Sequence, residues 1–348
     1  MNFIVTLLIL ILILGLIVVI HEFGHFIAAK RQGIFISEFS IGMGPKILSH
    51  KSKKDGIEYN LRLFPIGGFV SMANEEIEGT KLRKDQILEN KSFPRKLLVL
   101  FMGILFNFIL TIVLLFINAL IYGAPELRPV VGLVQENSSA YNSGLKKDDL
   151  ILSINNKKVS SWDDVILIIQ YDKSTDSFDF EIERDNKKQV INIIPKVKVE
   201  DDKEVRTFGI GASTKKYYGF VSSLKYSFTG FGKMTSSLFN ILGRLFTGKL
   251  GLDNLSGPIG VFNVIDQVKS SGFENLIYLT AYLSLNVGIL NLIPIPVFDG
   301  GRILIVTIER LRRKKINPKF ESYLNTAGFI LLIILVIFVT LSDIIKLF

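Results

Sequence analysis

Long uncharged apolar runs alternate with charged stretches along this chain. A helix needs about 20 apolar residues to cross roughly 30 Å of hydrocarbon, and several runs come close to that length without a charged side chain. These runs are Phe3–Ile20, Leu97–Tyr122, Leu276–Phe298 and Leu324–Leu341. The pattern predicts an α-helical polytopic membrane protein with about four transmembrane helices.

Two of the stretches between these runs have the periodicity of β-strands. Ile57–Leu63 alternates apolar and polar residues, as a half-buried strand does, and Phe64–Val70 breaks and restarts the pattern as a turn would. Further along, strand patterns flank Ser161–Gln170, whose apolar residues have helical spacing. These strands are Val130–Val134, Leu150–Ile154, Phe178–Ile182 and Val190–Ile194. We expect a small α+β domain from about Glu126 to Glu200.

The segment Tyr217–Phe246 is intermediate between these two kinds of sequence. It combines large apolar residues with Lys225, Lys233 and Arg244 and with many Ser and Gly residues. This composition is typical of an amphipathic helix at the membrane interface. A re-entrant or partly buried segment fits the same residues, so both interpretations stay open.

The positive charge of the chain is concentrated beside the apolar runs. The net charge is +9 over 348 residues, and Lys30–Lys96 and Arg310–Lys319 are rich in Lys and Arg. With four spans these two loops fall on the same side, and the positive-inside rule places both in the cytoplasm. Both termini and the region 124–275 then lie outside. Positive flanks account for the charge better than nucleic-acid binding does, so we expect no nucleic-acid partner.

The chain has no cysteine, which excludes disulfides and thiolate metal sites. Its first apolar run lacks a basic n-region and a small-residue cleavage site, so we expect that run to remain as a span. The predicted segments are a first span (1–30), a cytoplasmic-side loop (31–93), a second span (94–123), an α+β domain (124–202), an interfacial segment (203–275), a third span with the motif that follows it (276–310), a cytoplasmic loop (311–323) and a fourth span (324–348).

The sequence His21-Glu22-Phe23-Gly24-His25 closes the first run and matches the pattern H-E-x-x-H. On an α-helix the two histidines point from one face, where their imidazoles can bind one Zn²⁺. Glu22 lies beside them and can take a proton from the attacking water. Gly24 leaves room for close approach by a neighbouring helix. Ionisable groups next to a span are functional by default, which favours this interpretation over side chains that snorkel to water.

A catalytic zinc site usually has three protein ligands, so a third is needed. His50 lies among Ser and Lys residues, and we interpret it as a solvated loop residue. Asp299 is the better candidate, because it follows an apolar run that Pro294 and Pro296 interrupt. Irregular backbone at membrane depth needs a protein-lined or watery cavity, which favours a ligand over an ordinary Asp-Gly-Gly turn.

Two asparagines, Asn286 and Asn291, precede Asp299 in the same run. Their amides could donate hydrogen bonds to a substrate backbone or to an oxyanion. Hydrogen bonds between neighbouring helices are a nearly equal alternative from composition alone.

On these residues the chain resembles the site-2 protease family of intramembrane zinc metalloproteases, and within it the bacterial regulator-of-sigma-E group. The histidine motif is similar to the family's zinc motif. Asn291–Gly301 is similar to its second signature, whose Asp supplies the third ligand and corresponds to Asp299. Ile57–Met72 resembles its membrane-dipping β-hairpin, and Glu126–Glu200 resembles a PDZ domain. The resemblance implies substrate-binding roles within this signature and just before it, for Asn286, Asn291, Pro294 and Pro296.

The implied fold has four transmembrane helices, a membrane-associated β-hairpin and one extracytoplasmic α+β PDZ-like domain. The implied function is hydrolysis of peptide bonds in single-span membrane proteins, such as anti-sigma factors or remnant signal peptides, during regulated intramembrane proteolysis. The protein would lie in the bacterial cytoplasmic membrane, with its active site near the cytoplasmic face. Its substrates would first be cut by another protease. An extended substrate could add to an exposed strand such as Ile57–Leu63.

Two other interpretations use the same features. A catalytically silent PDZ-bearing membrane scaffold or holdase would keep the architecture, but every expected catalytic residue type is present. A transporter with broken helices predicts inverted internal repeats, which the two halves do not show, and it leaves the zinc pattern unexplained. The sequence therefore favours a zinc metalloendopeptidase with Zn²⁺ as its cofactor.

Overall fold

The computed structural model describes residues 2–73, 82–171, 176–200, 203–248, 251 and 255–346. Within these residues, four helices are long and apolar enough to cross a membrane. They are Phe3–Arg31, Phe93–Tyr122, Phe273–Leu292 and Pro318–Ile345. The prediction of four spans is confirmed, and the chain has the helices of a multi-pass membrane protein.

The described residues form helices and short antiparallel strands. The helices are α1 (Asn2–Arg31), α2 (Phe93–Tyr122), α3 (Ser139–Asn142), α4 (Trp162–Tyr171), α5 (Phe220–Phe246), α6 (Pro258–Lys269), α7 (Phe273–Leu292), α8 (Asp299–Arg312) and α9 (Pro318–Ile345). The strands are β1 (Ile36–Lys51), β2 (Glu58–Met72), β3 (Ala124–Pro125), β4 (Val131–Val134), β5 (Leu150–Ile154), β6 (Lys157–Lys158), β7 (Phe178–Arg184), β8 (Lys187–Ile193), β9 (Lys196–Glu200), β10 (Lys203–Thr207), β11 (Ile210–Ala212) and β12 (Lys216–Tyr217).

The chain divides into two compact units, Met1–Leu114 with Leu242–Phe348, and Leu115–Ile241. In the first unit, apolar side chains of α1, α2, α6 and α7 pack around Ile17 and Ile265. A second buried cluster joins α1, the first strand and α2 through residues such as Phe26 and Val99. The histidine motif lies between Ile17 and Phe26 on α1, so packing on both sides holds that part of the helix.

The β1–β2 sheet is more extensive than a simple hairpin, because the long strand β1 bends and pairs with β2 twice. Residues 36–41 pair with 68–72 on one side, and residues 38–41 of the same stretch pair with 58–61 on the other, while residues 46–51 pair with the far side of 58–62. The strand predicted at 57–63 is therefore paired along both edges and is not an exposed edge, which corrects the expectation for substrate addition. No other described strand pairs with the outer edge of residues 68–72.

A partly buried ion pair fixes the register of this sheet. Arg62 places one Nη2 atom 2.6 Å from Glu38 Oε1 and donates from Nε to Ser40 Oγ at 3.0 Å. Ser40 also donates its hydroxyl to the Glu38 carboxylate. Burial raises the pKa of Glu38, but the hydrogen bonds from Ser40 and Arg62 outweigh it and lower that pKa to about 2. The carboxylate therefore stays charged and bonded at neutral pH.

The region predicted as a third span with its motif contains two separate helices. α7 ends at Leu292 rather than at Phe298, because Pro294 and Pro296 have no backbone N–H with which to continue it. α8 then begins at Asp299. The irregular segment between the two helices places Asp299 in the first turn of a new helix.

A buried carboxylate connects the last helix to α6. Asp343 of α9 accepts the backbone N–H groups of Gly257 and Gly260 through Oδ2, at 2.8 Å each. The first N–H groups of a helix have no partner within the helix, so Asp343 satisfies donors that would otherwise be unpaired.

The second unit contains a four-stranded antiparallel sheet with the order β6-β5-β7-β8. Phe178 and Phe180 alternate with exposed positions along β7 and are fully buried against α4 residues such as Val165. Asp149 and Arg184 form an ion pair at 2.6 Å that connects β7 to the turn before β5. This unit is an α+β fold, as the spacing of its strands predicts.

The intermediate segment forms the single long helix α5. Its apolar residues Phe220, Val221 and Phe228 are exposed, whereas Tyr226 and Leu238 are buried. Exposed aromatic side chains suit a lipid interface as well as a partly inserted helix. An interfacial helix and a partly inserted helix therefore both stay predictions for α5.

Candidate metal centre

Helix α1 brings the two histidines of the motif together. His21 and His25 are one turn apart, both are 7% exposed, and their Nε2 atoms lie 3.2 Å from each other. The rings meet edge to face at a centroid distance of 4.8 Å. Two ring nitrogens that face each other this closely are arranged to share one ion.

Asp299 completes this cluster from the start of α8. Its Oδ2 atom lies 3.0 Å from His21 Nε2 and 3.2 Å from His25 Nε2. The same oxygen is buried and has no hydrogen-bond partner among the described residues. Ligands at 2.0–2.1 Å in a tetrahedral zinc site are about 3.3 Å apart, so the spacing and the two-nitrogen, one-oxygen donor set fit Zn²⁺. The three side chains could hold the ion and leave a fourth position open.

Glu22 points into a cavity of about 460 Å³ beside this cluster. Its Oε2 accepts the backbone N–H of Val70 at 3.2 Å. The cavity is lined by Glu22, His25, Phe69, Val70, Ser71, Met72, Leu88, Val99, Leu100, Asp299 and Arg302. The carboxylate, two metal-ligand candidates and the free edge of the β-sheet therefore line one space.

Helix α2 approaches the motif very closely at two glycines. A Cβ on Gly24 would collide with the backbone carbonyl of Met102, which confirms the close approach predicted there. A Cβ on Gly103 would lie 2.8 Å from His21 Nε2 and closer still to His25 Nε2. Any side chain at position 103 would therefore enter the space between the metal-facing nitrogens.

Gly103→Ala should remove most of the bound zinc, because the added methyl group would displace the Nε2 atoms of both imidazoles. Zinc per chain, measured by mass spectrometry on the purified protein, checks this result. Gly230→Ala is a matched control in another long helix, where the new Cβ would meet nothing closer than 3.6 Å. Full zinc occupancy in Gly103→Ala would contradict the proposed position of the ion.

The other predicted site residues lie in the described chain but do not line this cavity. Asn286 donates its amide to Tyr282 O of its own helix at 2.9 Å. Asn291 and Pro296 are partly exposed and Pro294 is exposed. Their substrate-binding roles stay predictions. His50 is exposed but belongs to strand β1, so the loop interpretation of that residue was wrong.

Three further groups at the site were not predicted from the sequence. Val99 has an apolar side chain, but its backbone carbonyl oxygen lies 2.8 Å from His25 Nδ1. Val70 contributes its backbone N–H to Glu22. Arg302 lines the cavity one turn after Asp299 on α8, and this helical spacing from the acidic ligand is the only signal that could have identified it.

Comparison with known proteins accords with this geometry. Residues 9–335 match the family described as Peptidase family M50. The chain belongs to peptidase family M50. This match confirms the resemblance to the site-2 proteases, and the protein is a zinc metalloprotease whose cofactor is Zn²⁺.

Relatives of this M50 peptidase align over nearly its whole length. It is 33% identical over 425 aligned residues to the regulator of sigma-W protease RasP of Bacillus subtilis, covering 99% of this chain and 100% of that protein. It is 31% identical over 421 residues to the zinc metalloprotease RasP of Bacillus licheniformis and 32% identical over 421 residues to that of Shouchella clausii, with 99% of each chain covered. The alignments are longer than the 348 residues of this chain, so the relatives contain insertions relative to it.

Proposed function

We propose that this M50 peptidase hydrolyses peptide bonds of single-span membrane proteins within or beside the bilayer. His21, His25 and Asp299 hold the zinc ion, and Glu22 is the general base. The observation that carries the proposal is the convergence of the three ligand atoms, 3.0–3.2 Å apart, beside the Glu22 cavity.

When bound, the zinc ion polarises the scissile carbonyl and makes hydroxide available near neutral pH. Glu22 accepts a proton from the attacking water, whose oxygen bonds to the carbonyl carbon. The same carboxyl then gives that proton to the amine as the C–N bond breaks. The hydrogen bond from Val70 N–H keeps the Glu22 carboxylate turned towards the cavity during these steps.

The free edge of the β-sheet offers a place for an unwound substrate. A membrane helix hides its peptide groups in its own hydrogen bonds, so it must unwind before water can attack. Residues 68–72 are paired with β1 on one side only, and the N–H of Val70 points away from β1 to Glu22. A substrate strand added to that edge would gain main-chain hydrogen bonds and run past Glu22 and Asp299.

The two asparagines and two prolines near the metal motif are proposed to contact the same substrate. Asn286 now bonds to a carbonyl of its own helix, and that carbonyl keeps its helical partner if the amide turns to a substrate. Asn291, Pro294 and Pro296 lie in or beside the irregular segment before Asp299, where main-chain groups are not all used by a helix.

We assign residues 124–202 to a PDZ-like domain outside the cell membrane. Support comes from the antiparallel sheet, the helix α4 and the common core in this part of the chain.

The positive flanks support the remaining topology, with both termini outside and the loops 31–93 and 311–323 in the cytoplasm. Such a domain excludes substrates with bulky outer parts, so the substrate is first shortened by another protease. Because one relative is named a regulator of sigma-W protease, anti-sigma factors are the first substrates that we propose.

Reconstitution into lipid vesicles tests this function directly. The purified chain should cut a single-span anti-sigma factor that lacks its outer domain, and a zinc chelator should stop the reaction. The same substrate with its outer domain intact should be cut at least about tenfold more slowly. Mass spectrometry of the products locates the bond. A chain that binds zinc and substrate without cutting either form would support a silent scaffold instead.

A further inference from the structure

The first metal-ligand candidate, His21, has a second polar neighbour that the proposed mechanism has not used. Asn107 of α2 is fully buried, and its amide Nδ2 lies 3.3 Å from His21 Nδ1. The other amide atom, Oδ1, is buried without a hydrogen-bond partner among the described residues. A buried amide oxygen left unpaired costs about 1–3 kcal/mol, so this arrangement calls for an explanation.

The chemistry of a metal-bound imidazole supplies one. When Nε2 of His21 binds a metal ion, the ring proton is on Nδ1, and Nδ1 becomes a donor. An amide NH₂ facing that proton would place donor against donor. The oxygen and nitrogen of an amide have nearly the same shape, so turning the amide by half a rotation exchanges them without changing the packing. The Nδ1–H of His21 then donates to Oδ1, and the amide NH₂ takes the place that the oxygen held.

The second histidine has a matching partner on the same helix. His25 Nδ1 lies 2.8 Å from the carbonyl oxygen of Val99. Val99, Gly103 and Asn107 are spaced four residues apart and share one face of α2. One helix face thus contacts the Nδ1 atoms of both imidazoles, through Val99 and Asn107, while Gly103 between them lies against the Nε2 atoms.

The backbone at Asn107 is itself held in place. Its carbonyl oxygen accepts the hydroxyls of Thr111 and Ser284, each at 2.9 Å. Ser284 is on α7, the helix that precedes the Asp299 motif, so this contact links α2 to the element that leads to the third ligand. Asn107 therefore has a fixed position from which to orient a ring.

We infer that Asn107 is a positioning residue, whose amide oxygen accepts the Nδ1–H of His21 and so fixes its tautomer and ring orientation for metal binding. The inference rests on the proposed metal role of His21. Hydrogen-bond partners of this kind typically change metal affinity by about 10–100-fold when they are removed.

Two substitutions with the same branched side-chain skeleton separate this role from simple packing. Asn107→Leu keeps the branching at Cγ and removes the acceptor, so zinc affinity should fall about 10–100-fold. Asn107→Asp keeps an acceptor, so zinc affinity should stay within about threefold of the wild type. A packing role predicts the opposite order, because Leu suits a buried apolar site and a new carboxylate does not.

Competition with a zinc chelator on the purified, detergent-solubilised chain gives the affinities, and the visible spectrum of the Co²⁺-loaded chain reports the ligand geometry. Asn107→Leu should shift that spectrum, while Asn107→Asp should match the wild type. Thr280→Val is the matched control, since it removes a buried hydroxyl whose one bond within the described part of the chain is to Leu276 O of its own helix. It should change neither measurement.

Wild-type affinity and spectrum in Asn107→Leu would overturn the inference, and so would equal losses in the Leu and Asp variants. His21→Ala, measured in parallel, separates this failure from a failure of the metal site. If His21→Ala lost zinc while Asn107→Leu did not, only the Asn107 role would be wrong. If His21→Ala kept its zinc, the assignment of His21 as a metal ligand in the proposed function would be wrong, and the inference about Asn107 would be wrong as well.

Discussion

Glu22→Gln should abolish cleavage of a single-span membrane substrate while leaving zinc and fold intact. The amide has nearly the shape of the carboxylate and can still accept the N–H of Val70, but it cannot take a proton from water. Loss of a general base of this kind lowers the rate by about 10²–10⁴-fold. Initial rates in lipid vesicles, together with zinc per chain, measure both halves of this expectation.

A matched control for that variant is available in the neighbouring sheet. Glu58→Gln makes the same chemical change at an exposed carboxylate that pairs with Lys46 at 2.6 Å, and it does not line the cavity. Exposed ion pairs contribute about 0–1 kcal/mol, so activity and zinc content should both stay near the wild type. Turnover retained in Glu22→Gln would remove Glu22 from the role of base.

Asp299→Ala should empty the metal site. Without that carboxylate only two imidazoles remain, whereas catalytic zinc sites usually have three protein ligands. Zinc affinity should fall by more than the roughly 10–100-fold expected for an outer hydrogen-bond partner. Chelator competition provides the affinity, and cleavage should be lost in proportion to the empty sites.

The histidines of the chain provide an internal comparison for this loss. His21→Ala and His25→Ala should lose zinc as Asp299→Ala does, because each removes one of three converging ligands. His50→Ala removes the third histidine of the chain, which is exposed on strand β1, and should keep full occupancy. A zinc-loaded Asp299→Ala protein would show that the third ligand lies elsewhere.

Features that depend on local sequence were predictable. A span needs little more than an uncharged run of sufficient length, so α1 and α2 could be predicted from hydropathy. The spacing of His21 and His25 places both on one helix face wherever the helix packs. Pro294 and Pro296 predicted an interruption of the helix, and the structure places Asp299 directly after that interruption.

Features that depend on partners distant in sequence were not predictable. The alternation at residues 57–63 indicates a strand, but it carries no information about the double pairing with β1 that moves the free edge to residues 68–72. The carbonyl of Val99 and the N–H of Val70 belong to every residue type, so no side chain signals their contacts with His25 and Glu22.

The role of α2 shows the same limit. Gly103 stands within a long run that has no charged residue, where a glycine has no evident purpose. Its reason emerges only when α2 lies against α1 and leaves no room for a Cβ beside His21 and His25. The metal ligands were therefore predictable from the sequence, whereas the face of α2 that contacts them was not.

X-ray absorption at the zinc edge of the purified wild-type chain tests the central claim most directly. The account predicts about one zinc per chain, bound by two imidazole nitrogens and one or two oxygens at about 2.0–2.1 Å. Asp299→Ala should lose that signal. A spectrum with a single imidazole, or zinc far below one per chain in an active preparation, would contradict the claim that His21, His25 and Asp299 together hold the metal.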